Sequence, residues 1–302
     1  MSKIIKYFLI LAVFVSVSAL IVNYSKPTVE AFFFAKISEP LDNITLVKVP
    51  PKPKKPGLNL DTASALALKI FPSGREKVLY AQNQDKALAI ASITKLMTAL
   101  VTLQNTYDLS NTVTVTKMAA SQQDVPTYGN LKEGESFTTE QLLHIMLFYS
   151  SNDAAFAFAD SIGENGFINK MNNMAGFLKM KDTHYVNPTG LDPDGTNLLP
   201  NYSSLHDLTI LVRYLLKNYP IVFQYTTEQG PYPIENGIQQ VTIPENEVLI
   251  GGKTGYTDKA GGCMIVLTKD AKQNQYMYAV LGSKSPEDRI VQIQKLIDWT
   301  QL

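Results

Sequence analysis

Ala91-Ser92-Ile93-Thr94-Lys95 is the stretch around which the sequence is arranged, since apolar residues flank it on both sides. Those at 96, 97, 100, 101 and 103 continue at helical spacing. Residues three apart share a helix face, so the Lys95 amine can reach the Ser92 oxygen if both lie on the first turn. If that face is buried, desolvation lowers the pKa of Lys95 and provides a neutral base. A serine beside such a base is an activated nucleophile.

The bulk composition excludes several classes of protein. The chain has 302 residues with 27 basic and 27 acidic side chains, so its formal net charge is zero and nothing favours a nucleic-acid partner. Cys263 is the sole cysteine, which excludes an internal disulfide. His144, His184 and His206 show no zinc spacing. We expect neither a metal nor another cofactor.

The N-terminus has the layout of an export signal, because Lys3 and Lys6 precede an uncharged apolar run at 7–22. As a helix this run would span about 24 Å, less than the roughly 30 Å of a bilayer core. Starting the helix at Ile4, with Lys6 reaching the interface, brings the length close to sufficient. Residues 1–34 are therefore predicted to be a signal peptide or an N-terminal membrane anchor, and the protein to be exported, either anchored or secreted to the cell wall.

Residues 35–57 lack helical or strand periodicity and contain Pro50-Pro51-Lys52-Pro53-Lys54-Lys55-Pro56. Such a run is extended and stiff. A basic recognition tail is the alternative, but the prolines favour a spacer. We predict a tether at 35–57 and a folded domain at 58–302.

Strand patterns occur at both ends of that domain and helical patterns in the middle. A hairpin is predicted from 63–71 and 77–80, and helices are predicted to begin at the capping residues Thr138, Ser204 and Ser285. The C-terminal strands are predicted at Gln240–Ile243, Gly251–Tyr256, Gly262–Thr268 and Gln275–Leu281. The expected fold is α/β of the α+β type: a mainly antiparallel sheet built from both chain ends, flanked by helices, with an inserted all-helical lobe.

Two further motifs decide how Ser92 and Lys95 are interpreted. A lone Ser-x-x-Lys also fits a capping serine with a solvated lysine. Ser150-Ser151-Asn152 places a hydroxyl and an amide at a junction between helices. Lys253-Thr254-Gly255 lies on a predicted strand after two glycines, where an extended substrate can approach the backbone. In this order, the three motifs form the set of penicillin-binding proteins and class A β-lactamases.

With these motifs, residues 58–302 resemble the penicillin-recognising serine acyltransferases of the β-lactamase-like fold, and more narrowly the low-molecular-weight D-alanyl-D-alanine carboxypeptidases. The resemblance extends over longer matches at 90–99, 150–155, 186–191, 202–204 and 252–261. Departures are Thr189 and Tyr256, where the family often has histidine, and Ser151, where it often has glycine. These positions put substrate detail in doubt more than activity.

The resemblance implies an acyl-enzyme on Ser92, with Lys95 as the base. It implies that Ser150 relays a proton to the leaving D-alanine and that Asn152 holds the acyl portion. The backbone N–H groups of Ser92 and Tyr256 would form the oxyanion hole.

The same resemblance implies that Thr254 binds the terminal carboxylate of the substrate, and Arg289 is a further candidate for this binding. Lys253 would supply positive potential that disfavours protonation of Lys95. The substrate would lie along the Lys253-Thr254-Gly255 strand as an added strand. A peptidoglycan stem peptide is the implied substrate, and β-lactam antibiotics are implied covalent inhibitors.

Several alternatives stay open. A class A β-lactamase needs a deacylating glutamate, and no Glu-x-x-Leu-Asn segment lies between Ser150 and Lys253. A Ser-His-Asp hydrolase is disfavoured because there is no Gly-x-Ser-x-Gly elbow. A non-catalytic penicillin-binding wall protein would retain the same fold. The sequence does not distinguish among carboxypeptidase, endopeptidase and transpeptidase activity.

Overall fold

The computed structural model describes residues 55–122, 130–195, 197–228 and 237–302. The predicted signal or anchor at 1–34 and all but the last residues of the predicted tether lie outside these ranges. Within the described ranges, no helix combines the length and the apolar character needed to cross a bilayer.

The secondary structure follows the predicted order, with strands at both ends of the folded unit. The strands are β1 (Thr62–Ile70), β2 (Glu76–Gln82), β3 (Leu88–Ala89), β4 (Thr112–Thr114), β5 (Ser136–Thr138), β6 (Tyr202–Ser203), β7 (Glu247–Thr257), β8 (Gly261–Asp270) and β9 (Gln275–Ser283). The helices are α1 (Lys95–Asn105), α2 (Lys117–Ala120), α3 (Thr139–Phe148), α4 (Asn152–Ile162), α5 (Glu164–Phe177), α6 (Leu205–Asn218), α7 (Ile221–Gln224) and α8 (Pro286–Gln301).

The main sheet is antiparallel and has the strand order β2-β1-β9-β8-β7. The N-terminal hairpin therefore pairs with the C-terminal strands, for example through Ala65 opposite Val280. Along β1, Leu66 and Leu68 join the apolar cluster on the side of the helical lobe, whereas Ala65 and Ala67 join the cluster on the other side. This alternation is typical of a sheet buried on both faces. The predicted fold class is confirmed.

The helices begin where the capping residues predicted. The Thr138 side chain accepts from the Gln141 N–H at 3.1 Å, and the Gln141 side chain accepts from the Thr138 N–H at 2.9 Å, which completes a capping box. Ser204 and Ser285 cap α6 and α8, because their side chains accept from the N–H groups of Asp207 and Asp288. Helix α8 packs against β8 and β9 on the sheet face opposite the helical lobe.

The predicted strand Gln240–Ile243 is wrong. Residues Gly237–Gln240 form a 3₁₀ turn instead, and the next strand begins at Glu247. The backbone N–H of Thr242 donates to Gln294 Oε1 at 2.8 Å, and its carbonyl accepts from Gln294 Nε2 at 3.3 Å. A side chain of α8 thus satisfies backbone groups that a neighbouring strand would have paired.

The first described residues, Lys55 and Pro56, contact the last turn of α8. Lys55 Nζ donates to the carbonyl oxygens of Trp299 and Thr300 at 3.1 and 3.0 Å. The same amine lies 4.5 Å from the centroid of the Trp299 ring, and Trp299 Nε1 donates to the Pro56 carbonyl at 2.7 Å. A cation here satisfies carbonyls that the end of a helix leaves unpaired and complements its dipole.

Candidate active site

Ser92 and Lys95 lie at the start of α1, as the spacing predicts. Ser92 belongs to a 3₁₀ turn, Ala91–Thr94, and Lys95 begins the helix. The Lys95 side chain is fully buried, and its Nζ lies 2.8 Å from Ser92 Oγ. The predicted contact between serine and amine is confirmed. Ala91, just before the serine, has φ +45°, a strained conformation for a residue with a Cβ.

Two more oxygen atoms surround the Lys95 amine. Asn152 Oδ1 lies 2.7 Å from Nζ, as does the backbone carbonyl oxygen of Thr189. Asn152 opens α4, where the Ser151 side chain accepts from the Ala154 N–H and caps the helix. The Ser-x-Asn motif is thus brought to the Ser-x-x-Lys motif through its amide.

The second serine and the second lysine also meet. Lys253 Nζ lies 2.8 Å from Ser150 Oγ and donates to the Thr254 carbonyl at 2.9 Å. Burial, and then the nearby charge of Arg289, lowers the pKa of Lys253 to about 7. Ser150 has φ +60°, which places this hydroxyl on a strained turn.

Strand β7 can approach the turn Ala91–Thr94, called the reactive turn below because it contains Ser92, since Gly255 has no side chain. A Cβ added at Gly255 would lie 2.9 Å from the Ser92 backbone nitrogen and 3.1 Å from the Ile90 carbonyl oxygen. The carbonyl of Gly255 accepts from Arg289 Nη1 at 2.7 Å. The strand and the serine turn are therefore in direct backbone contact at this glycine.

A cavity of about 1100 Å³ opens at this junction. Of the predicted site residues, those that line it are Ser92, Ser150, Asn152, Thr254, Gly255, Tyr256 and Arg289. The two lysines are nearly or fully buried and contact the serines of their motifs. Thr254 and Arg289 approach the same point, because a Cβ added at Gly237 would lie 3.0 Å from Thr254 Cγ2 and 3.5 Å from Arg289 Nη2.

Asp192 lines the cavity and was not among the site residues predicted from the sequence. Asp192 Oδ1 accepts from Thr257 Oγ1 at 2.9 Å and its Oδ2 accepts from the Lys259 N–H at 3.0 Å. These bonds join the segment after Thr189 to the end of β7. The Thr189 carbonyl was missed as well, because a main-chain acceptor leaves no mark on residue type. The one available signal was the turn-forming Asn187-Pro188-Thr189-Gly190.

The arrangement supplies the parts of an acyl-transfer site. One hydroxyl contacts a buried amine, a second hydroxyl contacts an amine whose pKa is lowered to about 7, and a guanidinium and a threonine line the same cavity. The first pair fits a nucleophile with its base, and the guanidinium fits a carboxylate.

Comparisons with known proteins match the chain to one enzyme family. The model of a family described as D-alanyl-D-alanine carboxypeptidase matches residues 54–285. The chain is 34% identical over 237 residues to the D-alanyl-D-alanine carboxypeptidase DacF of Bacillus subtilis, covering 74% of this chain and 58% of that protein. It is 33% identical over 237 residues to a D-alanyl-D-alanine endopeptidase of Pseudomonas aeruginosa, covering 74% of this chain and 73% of that one.

Among solved structures, penicillin-binding protein D2 of Listeria monocytogenes with cefotaxime bound superposes with a TM-score of 0.69. The two chains are 28% identical, and the match covers 82% of this chain and all of the Listeria chain.

Proposed function

Because the chain belongs to the D-alanyl-D-alanine carboxypeptidase family, we propose that it is a serine carboxypeptidase that removes the terminal D-alanine from peptidoglycan stem peptides. The observation that carries the proposal is the 2.8 Å contact between Lys95 Nζ and Ser92 Oγ at a fully buried lysine. Burial disfavours the charged ammonium, so the amine is available to take the proton of the serine.

Acylation begins when Ser92 Oγ attacks the carbonyl carbon of the penultimate D-alanine. A bond forms between serine oxygen and carbonyl carbon, and the serine proton passes to Lys95. The negative charge on the carbonyl oxygen is stabilised by the backbone N–H groups of Ser92 and Tyr256, a contribution of about 3 kcal/mol per donor in other serine hydrolases. The close approach of Gly255 to the Ser92 nitrogen places these two segments next to each other.

The carbon–nitrogen bond then breaks, and the leaving amine needs a proton. Ser150 accepts a hydrogen bond from Lys253, so its own O–H can donate to the leaving nitrogen. Because Lys253 has a pKa of about 7, it can resupply the proton that Ser150 gives up. Before deacylation, Lys95 releases to solvent the proton that it took from Ser92, and Lys253 takes a proton up, so both lysines return to their starting states. Water then attacks the carbonyl carbon of the acyl-enzyme and gives a proton to neutral Lys95. Lys95 returns this proton to Ser92 Oγ as the ester bond breaks and the shortened peptide leaves.

The terminal carboxylate of the substrate binds at Thr254 and Arg289. A guanidinium suits a carboxylate through charge-assisted hydrogen bonds, and a threonine hydroxyl adds a donor. Arg289 Nη1 is bound to the Gly255 carbonyl, which fixes the guanidinium beside the strand on which the substrate lies. This binding selects peptides that end in a free carboxylate.

An endopeptidase is the second candidate. The Pseudomonas relative carries that name, and this chain covers 73% of it at 33% identity. The two activities differ in the bond presented to Ser92, whereas the chemistry at Ser92 is the same. Digestion of a defined cross-linked muropeptide distinguishes them, because a carboxypeptidase releases free D-alanine and an endopeptidase separates the two stems.

We further propose that the enzyme acts outside the cytoplasm and that its N-terminal apolar run directs export and, if uncleaved, anchors it to the membrane. Lys3 and Lys6 before the run at 7–22 support this location, as does the peptidoglycan substrate. Fractionation of cells, with the mass of the mature chain, distinguishes an anchor from a cleaved signal.

The decisive experiment is acylation with a fluorescent penicillin. We expect the intact mass to rise by one adduct, the label to map to Ser92, and Ser92→Ala to abolish it. Release of D-alanine from a D-Ala-D-Ala peptide then separates an enzyme from a non-catalytic binder. Folded protein that forms no adduct would contradict the mechanism, and rapid hydrolysis of the adduct would favour a β-lactamase.

A further inference from the structure

Two carbonyl oxygens, besides the hydroxyl of Ser92, lie close enough to the Lys95 amine to orient it. Thr189 O and Asn152 Oδ1 each lie 2.7 Å from Nζ, and Ser92 Oγ lies at 2.8 Å. A carbonyl oxygen can only accept hydrogen bonds, whereas a hydroxyl can also donate. A neutral primary amine has two N–H groups and one lone pair. When the N–H groups point at the two carbonyl oxygens, the lone pair is left facing Ser92.

The position of the Thr189 carbonyl is set by the turn that contains it. Asn187 Oδ1 accepts from the backbone N–H groups of Thr189 at 3.2 Å and Gly190 at 2.7 Å. Asn187 Nδ2 donates to the Leu191 carbonyl at 2.9 Å. The turn is therefore held from inside by one amide side chain.

Asn201 connects this turn to the residue that precedes Lys95. Its Nδ2 donates to the Asn187 carbonyl at 2.9 Å and to Thr94 Oγ1 at 3.0 Å. Its Oδ1 accepts from the Val186 N–H at 2.6 Å and from the Asn187 N–H at 3.2 Å. Asn201 is 1% exposed, so water does not compete for these bonds. One buried amide thus spans the two segments that contribute the amine and its acceptor.

We propose that Asn201 is a positioning residue for proton transfer: through the turn at 187–190 it fixes the Thr189 carbonyl, which orients the lone pair of Lys95 toward Ser92. The inference rests on the proposed function, in which Lys95 is the base. Asn201 acts through other residues and has no role in binding substrate. Its loss therefore slows acylation without weakening the complex that precedes it.

The test measures acylation by a fluorescent penicillin over a range of concentrations, which separates the maximal rate constant from the half-saturating concentration. For Asn201→Ala we expect the rate constant to fall about 10-fold or more, and the half-saturating concentration to stay within about 3-fold. Melting temperatures of both proteins report on folding.

Asn172→Ala is the matched control. Asn172 also braces a loop, since it accepts from the Tyr185 N–H at 2.9 Å and donates to the Tyr185 carbonyl at 2.8 Å. Its bonds hold Tyr185 rather than Asn187 or Thr94. We expect this variant to lose stability while its acylation rate constant stays within about 3-fold of the wild type.

Asn201→Asp separates the two ends of the amide. The variant keeps an oxygen that accepts from the Val186 and Asn187 N–H groups, but it loses the Nδ2 donor to the Asn187 carbonyl and to Thr94 Oγ1. If this donor positions the amine, the acylation rate constant is expected to fall as in Asn201→Ala, with the half-saturating concentration again within about 3-fold.

If Asn201→Ala does not fold, Thr98→Val tests the same turn from α1, because Thr98 Oγ1 donates to the Pro188 carbonyl at 2.6 Å. The expected effect is again on the rate constant alone. Variants of Asn201 and Thr98 that acylate at the wild-type rate, or an equal fall in Asn172→Ala, would overturn the inference. A wild-type protein that forms no adduct would instead contradict the proposed function.

Discussion

Lys253 Nζ lies 2.8 Å from Ser150 Oγ, although the two residues are 103 positions apart in the sequence. Lys253 is 3% exposed, and burial together with Arg289 lowers its pKa to about 7. It therefore exchanges protons near neutral pH, whereas a guanidinium stays charged. The sequence-based expectation gave the positive potential of the site to Lys253, and the structure adds Arg289 as the constant charge.

The stability of the protein should report the burial of Lys253. Its pKa in the fold lies below the ordinary 10.5, so between about pH 7 and 10.5 the unfolded chain binds more protons than the folded one. The free energy of unfolding therefore rises with pH across this window, by on the order of a few kcal/mol. Denaturant unfolding at about pH 7 and pH 9.5 measures it, with Lys253→Met as the reference that lacks the group. The same rise in both proteins would contradict the assignment.

Arg289→Gln should weaken selection for a free carboxylate. The guanidinium lies in the cavity near Thr254 and donates to the Gly255 carbonyl. Loss of a charge-assisted hydrogen bond is worth about 1.5–3 kcal/mol, so kcat/KM on a D-Ala-D-Ala peptide is expected to fall about 10- to 100-fold. Arg213→Gln is the control, because Arg213 is 44% exposed and pairs with Glu76. An equal effect of the two substitutions would remove the proposed role of Arg289.

Gly190→Ala should disturb the reactive turn as well as the stability. Gly190 has φ +86°, and an added Cβ would lie 2.1 Å from the Ala91 carbonyl oxygen and 3.0 Å from the Ser92 nitrogen. Gly74 has φ +82° with nothing within 4 Å of such a Cβ, so Gly74→Ala isolates the conformational cost of about 1–2 kcal/mol.

We expect Gly190→Ala to lose more stability than Gly74→Ala and also to slow penicillin acylation. Thermal unfolding and adduct formation measure the two effects. Acylation at the wild-type rate in Gly190→Ala would show that the turn tolerates displacement.

Lys55→Ala should change the environment of Trp299. Trp299 is the sole tryptophan of the chain, so the tryptophan fluorescence reports the environment of this one ring. Removal of the amine exposes the ring, and we expect a red shift of the emission and a loss of about 0.5–1 kcal/mol, as for other exposed cation–π pairs. Lys181→Ala, at another exposed lysine, should leave the emission unchanged. An unshifted spectrum in Lys55→Ala would mean that the contact does not persist in solution.

The motifs predicted most of the candidate site, because the side chains that the proposed chemistry needs can be recognised from residue type. Ser92 and Lys95 were paired by helical spacing, and their contact follows from the geometry of one turn. Strand pairing between the chain ends followed from the order of strand and helix patterns, and the sheet has that form.

What the sequence hid are contacts made by the backbone or by side chains of ordinary type. The Thr189 carbonyl is a main-chain group, and Asn201 resembles any polar loop residue until its partners are known. The misassigned strand at 240–243 has the same origin. The apolar pattern of this segment is compatible with a strand. The backbone N–H and carbonyl of Thr242, however, bond to the side chain of Gln294, which lies 52 residues further along the chain.

Helix α8 lines the cavity at its first turn and contacts Lys55 and Pro56 at its last turn. Arg289 lies in its first turns, and Trp299 holds Lys55 and Pro56 at its last. A helix of 16 residues is about 24 Å long. Arg289 and Trp299 are ten positions apart, or about 15 Å along the helix axis. A substitution at Lys55 therefore changes the attachment of the first described residues without altering a residue that lines the cavity.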